Sequence, residues 1–365
     1  MNMRTKKYLQ FILPFYNVDR TKQIFHVNPT IIPKREDSKD TKIYVYDYVE
    51  SELHEHEIKN IEDSLQFRDN NNISWINIDG LRKNDVELVC NHFKIHHLII
   101  EDILSVGQRP KMDEIDNVLY CLLNMLYYNE KTGAVEQEQI SIVLGDRFLL
   151  TFQEDATRDV FNSIREKIKI QHSKIRQSKA DYLCYALIDM IVDRYYVVMS
   201  KLGDRIETLE EEIIRAGNPH SLARINNLRK ELIILKRNVL PVRDLVNGFI
   251  KSESELLEDR TTKYFKDVFD HISQAGDLTE NYRDMMINLH DLYVNNINLK
   301  MNEVMKVMAV VTCLLAPATV IGGVFGMNFD RIPYLHHNYG FYLAVASMLI
   351  IPLWMVVIFK RRGWF

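Results

Sequence analysis

Two long runs without a charged residue close the chain, and they restrict its fold more than any other feature. Val307 to Phe325 gives about nineteen such residues and Tyr339 to Phe359 about twenty-one. Each is near the roughly 20 residues a helix needs to cross hydrocarbon. Two spans return the chain to the side it left. Lys306 opens the first span and Lys360, Arg361 and Arg362 follow the second, whereas the loop between them carries Arg331 with Asp330, His336 and His337. Basic residues stay inside, so both termini are expected in the cytosol, with the spans in the cell (inner) membrane. Tyr339, Phe341 and Tyr342 at one end, and Phe359, Trp364 and Phe365 at the other, suit interfacial belts. Met1 to Asp40 holds no long apolar core, so no signal peptide is expected. A net charge of −4 is too balanced to argue for nucleic acid. Membrane lipid and further copies of the chain are the expected partners.

The stretch from Tyr264 to Asn328 is expected to be one helix that starts in water and ends in the bilayer. Polar or small residues recur along it at steps of four and three: Asp291, Asn295, Asn298, Asn302, Met305, Ala309, Thr312, Ala316, Thr319 and Gly323. A sustained 3.5-residue period is the spacing of helices that supercoil around a shared axis. An ordinary seam would carry Leu or Ile. Buried Asn can fix register in a coiled coil, but three Asn and an Asp in successive layers cost too much stability unless they face water. Copies gathered around one axis would then enclose a polar lumen. The turn holding Met305 and Met308 would be its narrowest apolar ring, able to close by dewetting. Pro317 is expected to be a packing kink, and Gly322-Gly323 to loosen the helix end.

Ahead of this helix, the chain reads as a tail over residues 1–41, an α/β domain over 42–155 and a helical region over 156–262. The stalk helix with the first span takes 263–328, its membrane part about 305–325. An external loop (329–338), a second span (339–359) and a basic C-terminus (360–365) follow. In the α/β domain, Ile43, Val45, Trp75, Ile76 and Ile78 mark strands, Asn84 to His92 a helix, and Val118 to Tyr128 a strand. Gln139 to Leu144 and Phe148 to Phe152 form a hairpin across Gly145-Asp146. His54-Glu55-His56-Glu57 matches no metal spacing and is expected on an exposed helix face. Ala180 to Ala216 predicts one long helix, Gly217-Asn218-Pro219 a stop and restart, and an antiparallel second helix ending near Pro241. Its tip carries Glu207, Glu210, Glu211 and Glu212, either a solvated face or an acidic element that attracts hydrated cations or meets the Lys360-Arg361-Arg362 cluster at the membrane surface. The cysteines Cys90, Cys121, Cys184 and Cys313 have no metal spacing and are expected as small buried hydrophobes.

Hard cations take several oxygen ligands from more than one element. The candidates are Glu101 and Asp102, the i,i+4 pair Asp189 and Asp193, and Asp267 with His271 and the adjacent Asp270. Taken singly, each is equally a surface carboxylate.

Gly326-Met327-Asn328 ends the first span, Asn302-Glu303-Val304-Met305-Lys306-Val307 precedes it, and the chain closes on a basic cluster. With Glu101-Asp102-Ile103-Leu104, Gln108-Arg109-Pro110-Lys111, Ala180-Asp181-Tyr182-Leu183 and Asp267-Val268-Phe269-Asp270-His271, the chain resembles the CorA-type magnesium and cobalt channels. The resemblance implies an α+β cytosolic domain, long helices and two transmembrane helices, assembled as a funnel-shaped homopentameric channel. It implies a ring of Asn328, with Gly326 and Met327, that receives the hydrated ion, and a pore lined at Asp291, Asn298, Asn302, Met305, Met308 and Thr319. It implies regulatory Mg²⁺ between subunits on Asp102 and Asp267, with Glu101, Asp189 and His271 nearby, and a basic ring at Lys360, Arg361 and Arg362. Mg²⁺ would be both cargo and regulator, with Co²⁺ as a further cargo. Tyr334 stands where many members carry an acidic loop residue, and Met301 where a small polar residue often precedes the Asn. A zinc transporter of the same superfamily and a membrane-tethered enzyme remain as other readings. No nucleophile elbow, phosphate loop or zinc motif supports the enzyme.

Overall fold

The computed structural model describes residues 37–215, 219–327, 332–333 and 338–363. Its residues divide into two compact units. One lies within Met1–Glu212 and Asn218–Leu289, the other within Ile213–Gly217 and His290–Phe365.

The first unit is built on a seven-stranded sheet in the order β2-β1-β3-β7-β6-β5-β4. The strands are β1 (Lys42–Tyr48), β2 (Leu53–Ile58), β3 (Ile73–Asp79), β4 (Lys111–Ile115), β5 (Val118–Asn129), β6 (Ala134–Gly145) and β7 (Phe148–Gln153). Only β3 and β7 pair in parallel. Alternation along the strands decides the layers. Ile43, Val45, Ile76, Ile78, Leu150 and Phe152 point to one face. There they form a core with Val86 and Val89 of α1 (Lys83–His92) and Ile99 and Ile103 of α2 (His97–Leu104).

The opposite face of β3 and β7 is polar. Trp75 Nε1 donates to Thr151 Oγ1 at 2.9 Å, and Thr151 donates to Asn77 Oδ1 at 2.6 Å. Asn77 Nδ2 and Gln153 Nε2 both donate to Asp79 Oδ1. Arg165, from α3 (Asn162–Lys169), lies over the ring of Tyr44 at 5.1 Å and that of Trp75 at 5.7 Å, and pairs with Asp159. Asp79 is fully buried, and its Oδ2 has no hydrogen-bond partner among the described residues.

Three long helices follow: α4 (Ala180–Arg215), α5 (Pro219–Lys251) and α6 (Asp259–Phe325). Helix α6 starts a turn before the expected Tyr264. The Glu258 carbonyl accepts from Thr261 and Thr262, and the Glu258 amide donates to the buried carboxylate of Asp181 at 2.9 Å. At the other end Gly326 N closes on Gly322 O, while Asn328 lies outside the described residues. Helix α7 is Gly340–Arg361.

The structure corrects several expectations. His54 to Glu57 lie on strand β2, not a helix, because β1 offers a free antiparallel edge, with Val45 opposite His56. Their exposure and charge suit an edge that must not recruit further strands. Pro241 does not end α5. It costs one backbone bond, but Val239, Val242, Leu245, Val246 and Phe249 are buried along the continuing helix and outweigh that loss. Pro317 likewise sits inside α6. Cys90, Cys121 and Cys184 are buried, whereas Cys313 is exposed, on a face of α6 that none of the described residues covers.

Burial and repulsion from Asp159 push the Asp79 carboxyl up to about 6, against an ordinary 3.8. A raised acid favours the native state at low pH, and that contribution is lost as pH rises through about 6. Asp79→Asn should therefore raise the melting temperature of the detergent-purified full chain at pH 7.5, by the equivalent of up to about 3 kcal/mol. The gain should shrink toward pH 4. An Asn variant that melts earlier at pH 7.5 would contradict this.

Candidate functional site

Asp102 projects from α2, whose first turn is capped by His96 Nδ1 accepting from Leu98 N at 3.3 Å. Both of its carboxylate oxygens are engaged within the chain. Gln108 Nε2 donates to Oδ1 at 2.8 Å, and Lys111 Nζ reaches Oδ2 at 2.6 Å and Asp113 Oδ2 at 2.8 Å. Burial works against the Lys111 charge, but the hydrogen bonds to Asp102 and Asp113 outweigh it and hold the ammonium above its ordinary value. Glu101, on the same helix, is exposed.

A second group forms where α4 meets the start of α6. One ligand atom each from Asp189, Asp193 and His271 fall within 4.8 Å of one another. The i,i+4 spacing puts both carboxylates on one face of α4. Tyr196, also on α4, fixes the approach of α6 by donating its hydroxyl to the His271 carbonyl at 2.6 Å. Burial and then the neighbouring Asp193 push the Asp189 carboxyl up, His271 counters them, and Asp267 adds to the rise. A cleft of about 380 Å³, lined by Lys167, Tyr182, Tyr185, Asp189 and Asp193, opens beside the trio. Asp267 lies one helical turn before His271 and is exposed. Neither Asp102 nor Glu101 belongs to this group within one protomer. Two hard carboxylates suit a hard divalent ion, and the imidazole suits a softer one such as Co²⁺.

The second unit carries the polar stripe. Asp291, Asn295, Asn298, Asn302, Met305, Met308, Ala309, Thr312, Ala316, Thr319 and Gly323 are all exposed. Met305 is 61% and Met308 66% exposed, values of surface side chains rather than a packed core. Thr312 and Thr319 donate to their own helix, at Met308 O and Leu315 O. The shielded line of α6 is a different one: Val310 is buried and Leu314, Pro317, Ile321 and Phe325 are half-buried. A Cβ on Gly322 would meet Met348 of α7 at 3.6 Å, while one on Gly323 would meet nothing. Helix α7 thus lies against α6 at Gly322 and leaves Gly323, on the polar line, open. Lys360, Arg361 and Arg362 are exposed at the end of α7, and Lys306 donates to Gly363 O at 3.2 Å.

What sequence reasoning missed is Lys111, which it quoted only as part of a resemblance, and the tie from Tyr196 to His271. Both come from separate elements brought together by folding. A lysine two residues before an acidic one on a short strand carries no signal of its own.

Helices α6 and α7 are each long and apolar enough to cross a membrane, with 6% and 0% of their most apolar windows buried. A sheet domain continued by long helices into two such C-terminal spans defines an α+β membrane protein of the two-span transporter class. The chain belongs to the CorA-like Mg²⁺ transporter protein family, which matches residues 70–361. That family consists of transporters, not enzymes. The chain is 37% identical over 327 residues to the cobalt/magnesium transport protein CorA of Thermotoga maritima, covering 89% of this chain and 93% of the relative. It is 23% identical to the cobalt/magnesium transport protein CorA of Methanocaldococcus jannaschii, covering 83% and 94%. The complete structure of the CorA magnesium transporter from Methanocaldococcus jannaschii shares the fold, with a TM-score of 0.73 and 22% identity over 88% of this chain and 98% of that one.

Co²⁺ seated on Asp189, Asp193 and His271 should give a visible absorption band in the purified chain that saturates on titration. His271→Ala should remove most of it. An identical band in the variant would exclude the imidazole.

Proposed function

We propose that the chain is a passive channel for divalent cations, admitting Mg²⁺ and Co²⁺ as a homopentamer around the polar line of α6. The single observation that carries this is the unbroken exposure of that line along α6. Ala309, Thr312, Ala316, Thr319 and Gly323 in the span continue the line of three Asn and an Asp in the stalk before it, and hydroxyl groups on such a line have no reason to face lipid. Turned toward a common axis they line water.

Mg²⁺ releases its water reluctantly. Amides at Asn328, Asn302 and Asn298 hydrogen-bond the ion's hydration shell instead of replacing it. Neutral rings hold the hydrated ion weakly enough for it to leave. The carboxylate at Asp291 adds attraction deeper along the path, and the Met305 and Met308 turn is the constriction. Gly326 and Met327 place Asn328 at the outer mouth. The drive is the inside-negative potential, about 4.6 kcal/mol per 100 mV for a double charge. The termini lie in the cytosol of the cell (inner) membrane, with Lys360, Arg361 and Arg362 as a basic ring there.

Internal Mg²⁺ regulates the channel by bridging subunits through Asp102 of one and Asp267 of the next, with Glu101, Asp189 and His271 around them. Their oxygen donors come from separate elements, as a hard ion requires. Loss of the ion removes the bridge and loosens the assembly. Moving a gate from mostly shut to mostly open takes about 5.5 kcal/mol, within reach of several such bridges acting together.

Proteoliposomes holding the full chain should take up Mg²⁺ when an inside-negative potential is imposed, with no other substrate. Asn328→Ala should cut the initial rate at least about tenfold, the scale of a lost selective contact. No uptake by the parent protein, or equal uptake by both, would overturn the channel reading.

A further inference from the structure

Each carboxylate oxygen of Asp102 already accepts a hydrogen bond inside its own protomer. Lys111 Nζ holds Oδ2 at 2.6 Å and Gln108 Nε2 holds Oδ1 at 2.8 Å. The Asp102 side chain is only 16% exposed, so water competes poorly for it, while Lys111 is 36% exposed and free to swing outward. Lys111 also touches Asp113 Oδ2 at 2.8 Å. Its backbone is fixed on β4 by pairing with Leu122, but its charge sits at the end of a flexible four-carbon stem. A divalent ion drawn to the Asp102 carboxylate would meet this ammonium at close range, and like charges a few ångströms apart repel, so the ion and the Lys111 charge compete for Asp102.

We propose that Lys111 is a tethered competitor for the regulatory cation: it occupies Asp102 when the ion is absent and is displaced onto Asp113 when the ion binds. This rests on the reading of Asp102 as a regulatory ligand. Asp113 is the resting place that keeps the displaced ammonium paired. The arrangement sets a threshold, because the ion must outcompete an internal cation whose local concentration is fixed by the fold. It also means that a protomer without the ion presents a neutralised Asp102 to its neighbour, so opening is driven by loss of the bridge more than by bare carboxylate repulsion.

The test is the Mg²⁺ concentration at which the full-length purified chain becomes half protected from limited proteolysis, read beside Mg²⁺ inhibition of uptake in proteoliposomes. Lys111→Met and Lys111→Gln should each lower both midpoints about five- to tenfold, the range of a modest coupling between sites. Lys111→Arg, which keeps the charge, should stay near the parent. Asp113→Asn should raise the midpoint in the parent and change nothing in the Lys111→Gln background. Unchanged or raised midpoints in both neutral variants overturn the competitor role while leaving the regulatory site intact. An effect of Asp113→Asn in both backgrounds makes Asp113 a direct ligand and overturns its part. A parent without Mg²⁺-dependent protection defeats the regulatory reading of Asp102 and this proposal with it.

Discussion

Apolar side chains with no partner in their own protomer govern this molecule. Leu343, Leu349, Ile350, Leu353 and Trp354 on α7 stand exposed, as do Val307, Val311, Leu315 and Val320 on α6. Each left in water forgoes on the order of 2 kcal/mol of burial. No such sum is tolerable against a typical stability of about 5–15 kcal/mol. A chain of this transporter family with two spans can cover such faces in hydrocarbon. The small and hydroxyl residues on the polar line of α6 stand out against them, and the proposed channel rests on that contrast.

The soluble unit meets a different constraint. Carboxylates held close together repel one another. The fold offsets this by setting a cationic or hydrogen-bonding group from another element beside them. Asp189 and Asp193 share one face of α4 and are eased by His271 across the helix pair. Asp102 is held on α2 by a lysine from β4. The sheet beneath carries its own buried acid, Asp79, supported by Asn77 and Gln153 and by the Arg165 charge. In each case a charge sits where an adjacent strand or helix supplies its partner.

Periodicity made much of the fold legible before any coordinates. The alternation around Trp75 and across Gly145-Asp146 gave strands β3, β6 and β7 their places, and the long apolar repeat from Ala180 predicted α4 to within a residue of its end. Strands β2 and β4 were not legible. Leu53–Ile58 alternates charge with charge, and Lys111–Ile115 is short and polar, so neither has a hydrophobic face to announce it. Pro241 misled because a local rule about helix ends cannot weigh the packing that continues past it. Of the candidate site residues, the i,i+4 pairs were visible in the sequence, and so was the line of amides on α6.

The sequence by itself determined that two stretches must leave water, that the helix feeding the first carries polar groups on one line, and that acidic pairs recur on single helix faces. These are consequences of spacing along a chain, and spacing is local. Only the tertiary structure decided that Asp189 and Asp193 meet His271, that Lys111 occupies Asp102, and that Gly322 rather than Gly323 faces Met348 of α7. Contacts between residues far apart in the chain depend on how helices and sheet pack, and no local period encodes that.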